Sequence, residues 1–314
     1  MRILLFGAGG QVGREVSALA AARGLDLTGR DHAALDICDP AALARTLERE
    51  RPGVVINAAA YTAVDKAESE PELAGRINAF APGLIAERCA RYRIPVVHIS
   101  TDYVFDGTKS GPYVESDPIA PLGVYGRSKA AGEAAVRAGI EQHVIVRTAW
   151  VYGAHGNNFL KTMLRLAGER DRLTVVADQH GCPTATYDLA CALLAAAAAA
   201  AKGEARWGTY HFAGTGVTSW HGFACEIVAA AAPFTKRQPE VAPIATADYP
   251  TAARRPRNSE LASDLFERTF GIRAALWAER TRQVVGDILG APTGNDNDNE
   301  KAERPRTERP VEAS

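Results

Sequence analysis

Residues 2–13 read Arg2-Ile-Leu-Leu-Phe-Gly-Ala-Gly-Gly-Gln-Val-Gly13, a short apolar run followed at once by a glycine-rich turn. The run predicts a buried β-strand, and the spacing of Gly7, Gly10 and Gly13 predicts a tight turn that opens a helix over about residues 12–23. Glycine lets backbone N–H groups approach an anion closely, and the helix N-terminus adds a favourable dipole. Glycine-rich turns are common, but this position after a first strand is typical of a dinucleotide-binding unit.

Further short β-branched runs alternate with helical segments through the first half of the chain. Candidate strands lie at 25–28, 53–57, 95–100 and 142–147. Strands of this length separated by helices predict parallel pairing, with helices on both faces of the sheet. We therefore predict an α/β fold with a doubly wound parallel sheet of the Rossmann type, whose ligands bind at the carboxyl ends of the strands.

The second half of the chain is less regular, and prolines mark many of its loops. Short strands are expected at 173–176 and 208–212, among helices near 159–170, 188–201 and 223–232. We interpret this half as a smaller C-terminal lobe that binds substrate, which gives a nucleotide-binding domain at 1–150 and a lobe at 151–290. Residues 291–314 are expected to form a disordered tail, because they have too few apolar side chains to order themselves.

The composition excludes several classes of protein. The 314 residues carry a formal net charge of −1, so the chain has no field that would hold a nucleic acid non-specifically. The longest apolar run, at 190–201, is too short to span a bilayer, and the first residues do not fit a signal peptide. Five scattered cysteines without a C-x-x-C pair indicate reduced thiols. We expect a soluble, cytoplasmic protein without a membrane or nucleic-acid partner.

The end of the second predicted strand bears on the choice of cofactor. A carboxylate there usually binds the ribose hydroxyls of NADH, whereas an arginine accommodates the 2′-phosphate of NADPH. Arg30 favours NADPH, although the adjacent Asp31 keeps NADH open and a surface arginine without a role is also an alternative. Asp36, followed by Ile37, would hold the adenine edge or belong to the N-cap region of a helix that begins near Pro40. The sequence does not decide between these two roles.

The segment Tyr125-Gly-Arg-Ser-Lys129 carries the candidate chemistry. Side chains four residues apart share one face of a helix, so Tyr125 and Lys129 are expected to point into the same site. A phenol has an unperturbed pKa of about 10, and a neighbouring ammonium group is expected to lower that pKa. Such a tyrosine can protonate a carbonyl oxygen while hydride arrives from a nicotinamide. An isolated pair of this spacing is also common on solvated helices, so further partners are needed.

Those partners are expected at the ends of two other strands. Thr101 follows the fourth strand, and a hydroxyl at a strand's carboxyl end can bind the reacting carbonyl group. We prefer Thr101 to Ser100 for this role. Residues 57–60, Asn-Ala-Ala-Ala, end the third strand. Three strand termini and the tyrosine helix are thus predicted to converge on one crevice.

These residues resemble the extended short-chain dehydrogenase/reductase superfamily and, within it, the dTDP-4-dehydrorhamnose reductase family. The resemblance spans roughly residues 1–289 and rests on blocks at 5–13, 57–71, 100–105, 125–133, 147–152, 156–163, 178–184 and 255–259. The glycine block and the tyrosine block are shared widely across the superfamily. Ala-Val-Asp-Lys-Ala-Glu at 63–68 and Arg-Pro-Arg-Asn-Ser at 255–259 are much more specific.

The resemblance implies reduction of dTDP-4-dehydro-β-L-rhamnose to dTDP-L-rhamnose with NADPH, the last step of dTDP-L-rhamnose biosynthesis. It makes Tyr125 the proton donor, Lys129 its electrostatic partner and Thr101 the hydroxyl that positions the carbonyl. Other implied cofactor contacts are Gly10, Gln11 and Val12 at the pyrophosphate, Arg30, Asp36 and Ile37 at the adenosine, and Ala60, Tyr61 and Thr62 beyond it.

The resemblance also implies the substrate contacts. Thr101, Asp102 and Trp150 are expected to touch the deoxysugar, although Trp150 has the alternative of being a core aromatic at a domain seam. Residues 179–184 and 255–259 of the lobe are expected to clamp the nucleotide diphosphate, with Arg255 supplying charge. The alternative for Arg255 is an ion pair with an acid on the surface of the lobe.

The sequence leaves open whether magnesium binds and whether the chain forms an oligomer. The family is associated with magnesium at a subunit contact lined by acids, and here Glu15 is available but Tyr187 stands where a second acid would help. The seven histidines show no ligand spacing, so no catalytic metal is expected. The chain is expected to be a monomer or a homodimer.

Alternative activities are another nucleotide-4-keto-6-deoxyhexose reductase or an epimerase of the same superfamily. A dehydratase is disfavoured, because dehydratases carry an Asp-Glu pair after the active-site hydroxyl and here Asp102 is followed by Tyr103. A non-catalytic subunit that binds a partner on the same fold is a further alternative. The intact Thr101, Tyr125 and Lys129 speak against it.

Overall fold

The computed structural model describes residues 1–290. Their largest sheet has six strands and lies at the centre of the fold. The strands of this sheet, in spatial order, are β10 (Gly208–His211), β5 (His143–Thr148), β4 (Val96–Thr101), β3 (Val54–Asn57), β1 (Arg2–Phe6) and β2 (Asp26–Arg30). Every neighbouring pair in it is parallel. The strand order reverses direction between β1 and β3, and in such sheets the ligand crevice lies outside the carboxyl ends at that point.

Helices cover both faces of the sheet. They are α1 (Gln11–Ala22), α2 (Pro40–Glu50), α3 (Val64–Ala67), α4 (Pro71–Gly75), α5 (Ala81–Arg91), α6 (Val124–Gly139), α7 (Phe159–Glu169), α8 (Thr186–Ala201), α9 (Trp220–Ala231), α10 (Asp264–Phe270) and α11 (Trp277–Leu289). A π-helical turn spans Arg76–Phe80, and 3₁₀ turns span Asp102–Val104 and Thr246–Asp248.

The four apolar residues of β1 are all buried, because helices cover this strand on both faces of the sheet. Ile3 and Leu5 pack into the hydrophobic cluster that contains α1 and α8, whereas Leu4 and Phe6 pack into the cluster of α2, α5 and α6. Successive side chains of a strand point to opposite faces, so a strand covered on both sides is apolar throughout. The doubly wound parallel sheet predicted from the sequence is confirmed.

The smaller lobe has its own hydrophobic cluster, which includes Tyr152 together with Leu160, Phe223 and Val285 from α7, α9 and α11. Its short strands are β6 (Val151–Tyr152), β7 (Arg172–Val176), β8 (His180–Gly181), β9 (Thr184–Ala185), β11 (Thr218–Ser219), β12 (Glu240–Ile244) and β13 (Asn258–Ser259). They pair as β7–β12, β6–β9 and β11–β8–β13.

The division at residue 150 stays a prediction. Beyond it, β10 is part of the large sheet and α8 packs on that sheet. β10 supplies the sixth strand, and α8 packs over β3, β4 and β5. The chain therefore returns from the lobe to the sheet before it completes the lobe, because parallel strands need a crossover and α8 provides one. The tail predicted at 291–314 lies outside the described residues. Within 1–290, no helix combines the length and apolar character needed to cross a membrane.

Candidate active site

The helix that carries Tyr125 and Lys129 begins at the carboxyl edge of the sheet. Its N-cap residue, Gly123, is extended and offers no side chain to the first turn. The helix passes so close to the turn that follows β4 that a Cβ on Gly126 would lie 2.2 Å from the carbonyl oxygen of Tyr103. Tyr125 packs edge-on against the Tyr103 ring, with centroids 5.6 Å apart. The predicted convergence of Tyr125 with the end of β4 is therefore present in the structure.

Thr101 and Asp102 form the opposite wall of the same crevice. The Thr101 hydroxyl accepts a hydrogen bond from the Tyr103 N–H at 3.2 Å and donates one to Asp102 Oδ1 at 2.9 Å. Asp102 is 3% exposed, and no donor among residues 1–290 makes a hydrogen bond of good geometry to its Oδ2, although the nearby Ser259 hydroxyl acts to lower its pKa. A buried acceptor without a donor is costly unless a ligand supplies one. Burial raises the pKa of Asp102 to about 6, so this carboxyl group is ionised at neutral pH.

A cavity of about 530 Å³ joins these groups to the glycine-rich turn. Its lining includes the predicted residues Gln11, Val12, Ala60, Thr62, Thr101, Asp102, Tyr125, Lys129 and Trp150. It also includes residues that the sequence did not single out, among them Tyr103, Thr148, Asn157 and Trp220. Trp220 starts a helix of the lobe, and nothing in its local pattern distinguishes it from a core aromatic.

The electrostatics of the tyrosine differ from the expectation. Burial raises the pKa of Tyr125 to about 12; the Thr101 hydroxyl opposes this shift and the Asp102 charge adds to it. The expectation that Lys129 lowers the pKa of Tyr125 is therefore wrong. The Lys129 ammonium instead donates to the Ile99 carbonyl at 2.7 Å. Tyr125 is consequently a neutral phenol at physiological pH, which is the protonation state that a proton donor needs.

Lys129 is 2% exposed and lies above a buried polar network. Glu133, one turn further along α6, accepts from the Ser100 hydroxyl at 2.6 Å and from Arg147 at 2.8 and 2.7 Å. Burial lowers the pKa of Lys129 to about 8, and the charge of Glu133 opposes that shift. His98 stays neutral, because burial and the charge of Lys129 hold its pKa well below the usual range. The network thus leaves Lys129 as a cation that titrates close to physiological pH.

The glycine-rich turn forms a cradle that fits the pyrophosphate of a dinucleotide. Gly7 has φ +80°, and a Cβ there would lie 2.6 Å from the Ala59 nitrogen. A Cβ on Gly13 would lie 2.1 Å from the Gly7 oxygen, so larger residues would fill this space. Gly10 caps α1 without a side chain, and the first turn of α1 has no acidic residue. The N–H groups and the positive end of the helix are therefore available to an anion.

A second cavity of about 350 Å³ continues from the cradle along the end of β2. Gly7, Arg30, Asp36, Ile37 and Ala60 line it, as expected for the adenosine end of a cofactor site. The Arg30 guanidinium also forms an ion pair with Glu50. The N-cap of α2 is Asp39, which accepts from the N–H groups of residues 41 and 42, so the capping role considered for Asp36 belongs to another residue.

Tyr61 is placed differently from the neighbouring Ala60 and Thr62. Its hydroxyl donates to Glu70 Oε2 at 2.7 Å, and its side chain does not line the described cavities. Its backbone N–H donates to Asn78 Oδ1 at 2.8 Å, and Asn78 in turn donates to the Ser128 hydroxyl on α6. Tyr61 therefore supports the wall of the crevice from behind.

Trp150 occupies a strained position between the two parts of the chain. Its φ is +47°, in the left-handed region that side chains rarely adopt. Its indole stacks on that of Trp220, with ring centroids 3.6 Å apart and planes at 9°. On the other side, a Cβ at Gly181 would lie 2.6 Å from the indole Cε2. The ring is thus held between a tryptophan and a glycine at the mouth of the crevice, rather than beneath the sheet.

Arg255 lines a further cavity of about 600 Å³ that adjoins the crevice at Thr62, Tyr103 and Trp220. Its guanidinium is already paired with Asp65, with Nη1–Oδ1 and Nη2–Oδ2 distances of 3.0 and 2.6 Å. The acid belongs to α3 beside the crevice, not to the surface of the lobe. Whether Arg255 also contacts a substrate stays a prediction.

The positions considered for magnesium do not fit the ion. Glu15 accepts a hydrogen bond from the Thr186 hydroxyl at 2.9 Å. Tyr187 carries the Arg280 guanidinium over its ring at 4.9 Å, and Arg280 pairs with Asp188. A cation beside the position disfavours a second cation. In the described part of the chain, no group of three His, Cys, Asp or Glu side chains has the arrangement of a metal site.

Comparison with known proteins gives consistent matches over most of the chain. The family described as the RmlD substrate binding domain matches residues 1–289. A dTDP-4-dehydrorhamnose reductase of Sinorhizobium fredii is 44% identical over 293 residues, which cover 92% of this chain and 98% of the relative. The crystal structure of such a reductase from Clostridium acetobutylicum superposes with a TM-score of 0.86 at 39% identity, covering 92% of this chain and 100% of that one. The reductase of Bacillus anthracis in complex with NADP superposes with a TM-score of 0.85 at 35% identity, over 91% and 99% of the two chains.

Proposed function

We propose that this chain, which belongs to the dTDP-4-dehydrorhamnose reductase family, reduces dTDP-4-dehydro-β-L-rhamnose to dTDP-L-rhamnose with NADPH. The observation that carries the proposal is the convergence of Thr101, Tyr125 and Lys129 on one crevice beside a glycine cradle. The near-complete match to relatives of that name supports the choice of substrate. The reaction is the last step in the biosynthesis of the dTDP-linked sugar.

In the proposed reaction, the carbonyl carbon of the sugar gains a hydride and its oxygen gains a proton. NADPH supplies the hydride when it is bound. Tyr125 donates its phenolic proton to the carbonyl oxygen, which it can do because its raised pKa keeps it protonated. The buried cation of Lys129 then favours the phenolate that is left. The alcohol product retains the nucleotide.

Thr101 and Asp102 orient the sugar in this proposal. The Thr101 hydroxyl donates to Asp102 in the structure, and rotation about its side chain would direct it to the carbonyl oxygen. The unpartnered Asp102 Oδ2 would then accept a hydrogen bond from a sugar hydroxyl. Trp150 covers the sugar from the side of the lobe. Asp102 and Trp150 would thus both contact the deoxysugar, which is the reacting end of the substrate.

The cofactor is proposed to lie along the cradle and the second cavity. Gly7, Gly10, Gln11, Val12 and Gly13 are at or behind the pyrophosphate, and Arg30, Asp36, Ile37, Ala60 and Thr62 line its two ends. Arg30 would bind the 2′-phosphate of NADPH by exchanging its single contact with Glu50 for a bidentate contact with the phosphate. NADH would lack that contact.

We also propose a cytoplasmic location and a monomeric or homodimeric state. The five cysteines are unpaired in the structure, as expected for a reducing compartment. Fractionation of cells and light scattering of the purified protein test these two proposals separately.

Turnover of the purified protein with dTDP-4-keto-L-rhamnose tests the function. Oxidation of NADPH that depends on the added nucleotide sugar is expected, and the stereochemistry at C4 identifies the product. The Tyr125→Phe variant controls for contaminating reductases. Absence of turnover by a folded protein that binds NADPH would rule the activity out.

A further inference from the structure

The segment Ala-Val-Asp-Lys-Ala-Glu at 63–68 forms α3 together with one residue on either side of it, and its Val64 lines the crevice. Asp65 faces the lobe: its Oδ1 accepts from the Ala253 N–H and from Arg255, both at 3.0 Å, and its Oδ2 accepts from Arg255 at 2.6 Å. This one carboxylate therefore fixes both the backbone and a side chain of the lobe segment 249–259.

Glu68, three residues later, faces the catalytic helix. Its Oε1 accepts from the Val124 N–H at 2.7 Å, and Val124 is the first residue of α6. A Cβ on Gly123 would lie 2.6 Å from the same oxygen, so glycine is required there for the carboxylate to reach the helix end. The helix that presents Tyr125 is thus capped by a residue distant in sequence.

A second set of contacts holds the same segment to α6. Asn78, which is fully buried, accepts from the Tyr61 N–H at 2.8 Å and donates to the Ser128 hydroxyl at 3.0 Å. The Ser128 hydroxyl donates to the carbonyl oxygen of Tyr125 at 2.8 Å. Residues 61–68 are therefore fastened to the turn of helix that carries Tyr125 at both of their ends.

We propose that α3 is a strut, and that Asp65 and Glu68 are positioning residues that couple the seating of lobe segment 249–259 to the orientation of Tyr125. Tyr249, Thr251 and Arg255 of that segment line the cavity next to the crevice, where the nucleotide end of the substrate would lie. The use of the strut during turnover rests on the proposed function. Its mechanical coupling does not, because every contact that carries it joins two residues of the chain itself.

The charge of Arg255 supports this assignment over a direct clamp. Asp65 neutralises the guanidinium, so a phosphate would have to displace a bidentate carboxylate. The Asp65 side chain is 46% exposed and that of Arg255 22%, so the pair adds little stability as a charge pair. What the pair does supply is geometry, since two hydrogen bonds and the Ala253 N–H fix the angle of the lobe segment.

The kinetic test uses Asp65→Ala and Glu68→Ala in the full-length protein. Both are expected to lower kcat by about tenfold to a hundredfold, because a displacement of about 1 Å at the reacting groups costs up to that factor. Affinity for NADPH should be unchanged. Glu68→Gln should recover most of the activity, since an amide oxygen can still accept from the Val124 N–H. The double variant should lose no more than the worse single variant, because both act along one route.

The control is Lys236→Ala, which removes an exposed cation of the lobe that lies outside segment 249–259 and lines none of the cavities around it. It is expected to have the kcat and KM of the parent protein. Effects of Asp65→Ala and Glu68→Ala that multiply in the double variant, or that appear in NADPH affinity rather than in kcat, would overturn the strut.

Amide hydrogen exchange tests the coupling without substrate. Asp65→Ala, on the side of the lobe, is expected to speed exchange in residues 249–259 and also in 124–128 at the start of α6, whereas Lys236→Ala should change neither. Unchanged exchange at 124–128 would overturn the strut. If the parent protein failed to reduce the nucleotide sugar, the proposed function would fall while this measurement still decided the strut.

Discussion

Replacing Gly181 with alanine should displace Trp150 from the crevice. The new Cβ would lie 2.6 Å from Cε2 and 2.9 Å from both Cζ2 and Nε1 of the indole, which places it over the face of the ring. The ordinary limit of contact is 3.4 Å, so the indole would have to retreat by about 0.8 Å. The opposite face is occupied by Trp220, stacked at 3.6 Å, so the ring cannot simply slide back.

The size of the effect follows from that double restraint. Overpacking of this kind costs about 1–3 kcal/mol. Relief of the clash is expected to come from Trp150 tilting into the proposed sugar site, because its backbone is already strained at φ +47°. If the full cost acts on the bound transition state, kcat/KM for the nucleotide sugar falls by about fivefold to 150-fold. Affinity for NADPH should be retained, because the glycine cradle is not in contact with Gly181.

Steady-state kinetics and thermal unfolding measure the outcome. Gly168→Ala is the matched control: Gly168 is exposed in α7 with nothing within 4 Å of a new Cβ, and alanine there should stabilise the helix by about 0.5–1 kcal/mol. Parental kcat/KM in Gly181→Ala would refute the reasoning, since it would show that the position of Trp150 does not matter for the substrate.

Four further predictions concern the chemistry. Tyr125→Phe should abolish turnover, because the transferable proton is lost, and it should leave NADPH binding, measured by fluorescence, unchanged. A near-normal kcat would show that another group donates the proton. Arg30→Ala should weaken NADPH by about 1.5–3 kcal/mol and NADH much less, since only NADPH presents a 2′-phosphate; equal changes in KM for the two cofactors would remove that role from Arg30. The value of kcat/KM should fall as pH rises through about 8, because Lys129 loses its charge at its pKa of about 8. Tyr125 remains protonated over this range, since its pKa is raised to about 12. Glu133→Gln should move the fall to lower pH, because the charge of Glu133 opposes the lowering of the Lys129 pKa by burial; an unchanged midpoint would show that Glu133 does not affect the pKa of Lys129.

The sequence was sufficient where a local pattern has one physical solution. The apolar run at 2–6 must be buried on both faces, and the glycines after it must make a tight turn, so the first strand, turn and helix were predicted within a residue. The spacing of Tyr125 and Lys129 fixed their common face as soon as the segment was identified as a helix. The end of β4 then had to lie opposite them, because all strands of the sheet are parallel.

The sequence was insufficient where the property depends on distant neighbours. The pairing of Arg255 with Asp65 joins residues 190 positions apart, and no pattern predicts which acid an arginine will find. The strand at 208–211 was expected as a short strand, but its place at the edge of the large sheet depends on where α8 crosses. The direction of the Tyr125 pKa was missed for a similar reason: the distance from Lys129 is local, but the loss of solvent around the phenol is set by the whole crevice.

The polar network next to Lys129 explains why this buried ammonium group keeps its positive charge. An ammonium group buried to 2% exposure would lose its proton unless a negative charge lay close by. A carboxylate in direct contact would hold the proton too firmly and would cancel the field at Tyr125. Glu133 lies one turn away and is itself held by Arg147 and Ser100 at 2.6–2.8 Å, so it stabilises the cation without bonding to it. Lys129 therefore stays charged at neutral pH, and among residues 1–290 its ammonium donates to the Ile99 carbonyl alone. In the proposed reaction this leaves its charge free to stabilise the phenolate of Tyr125.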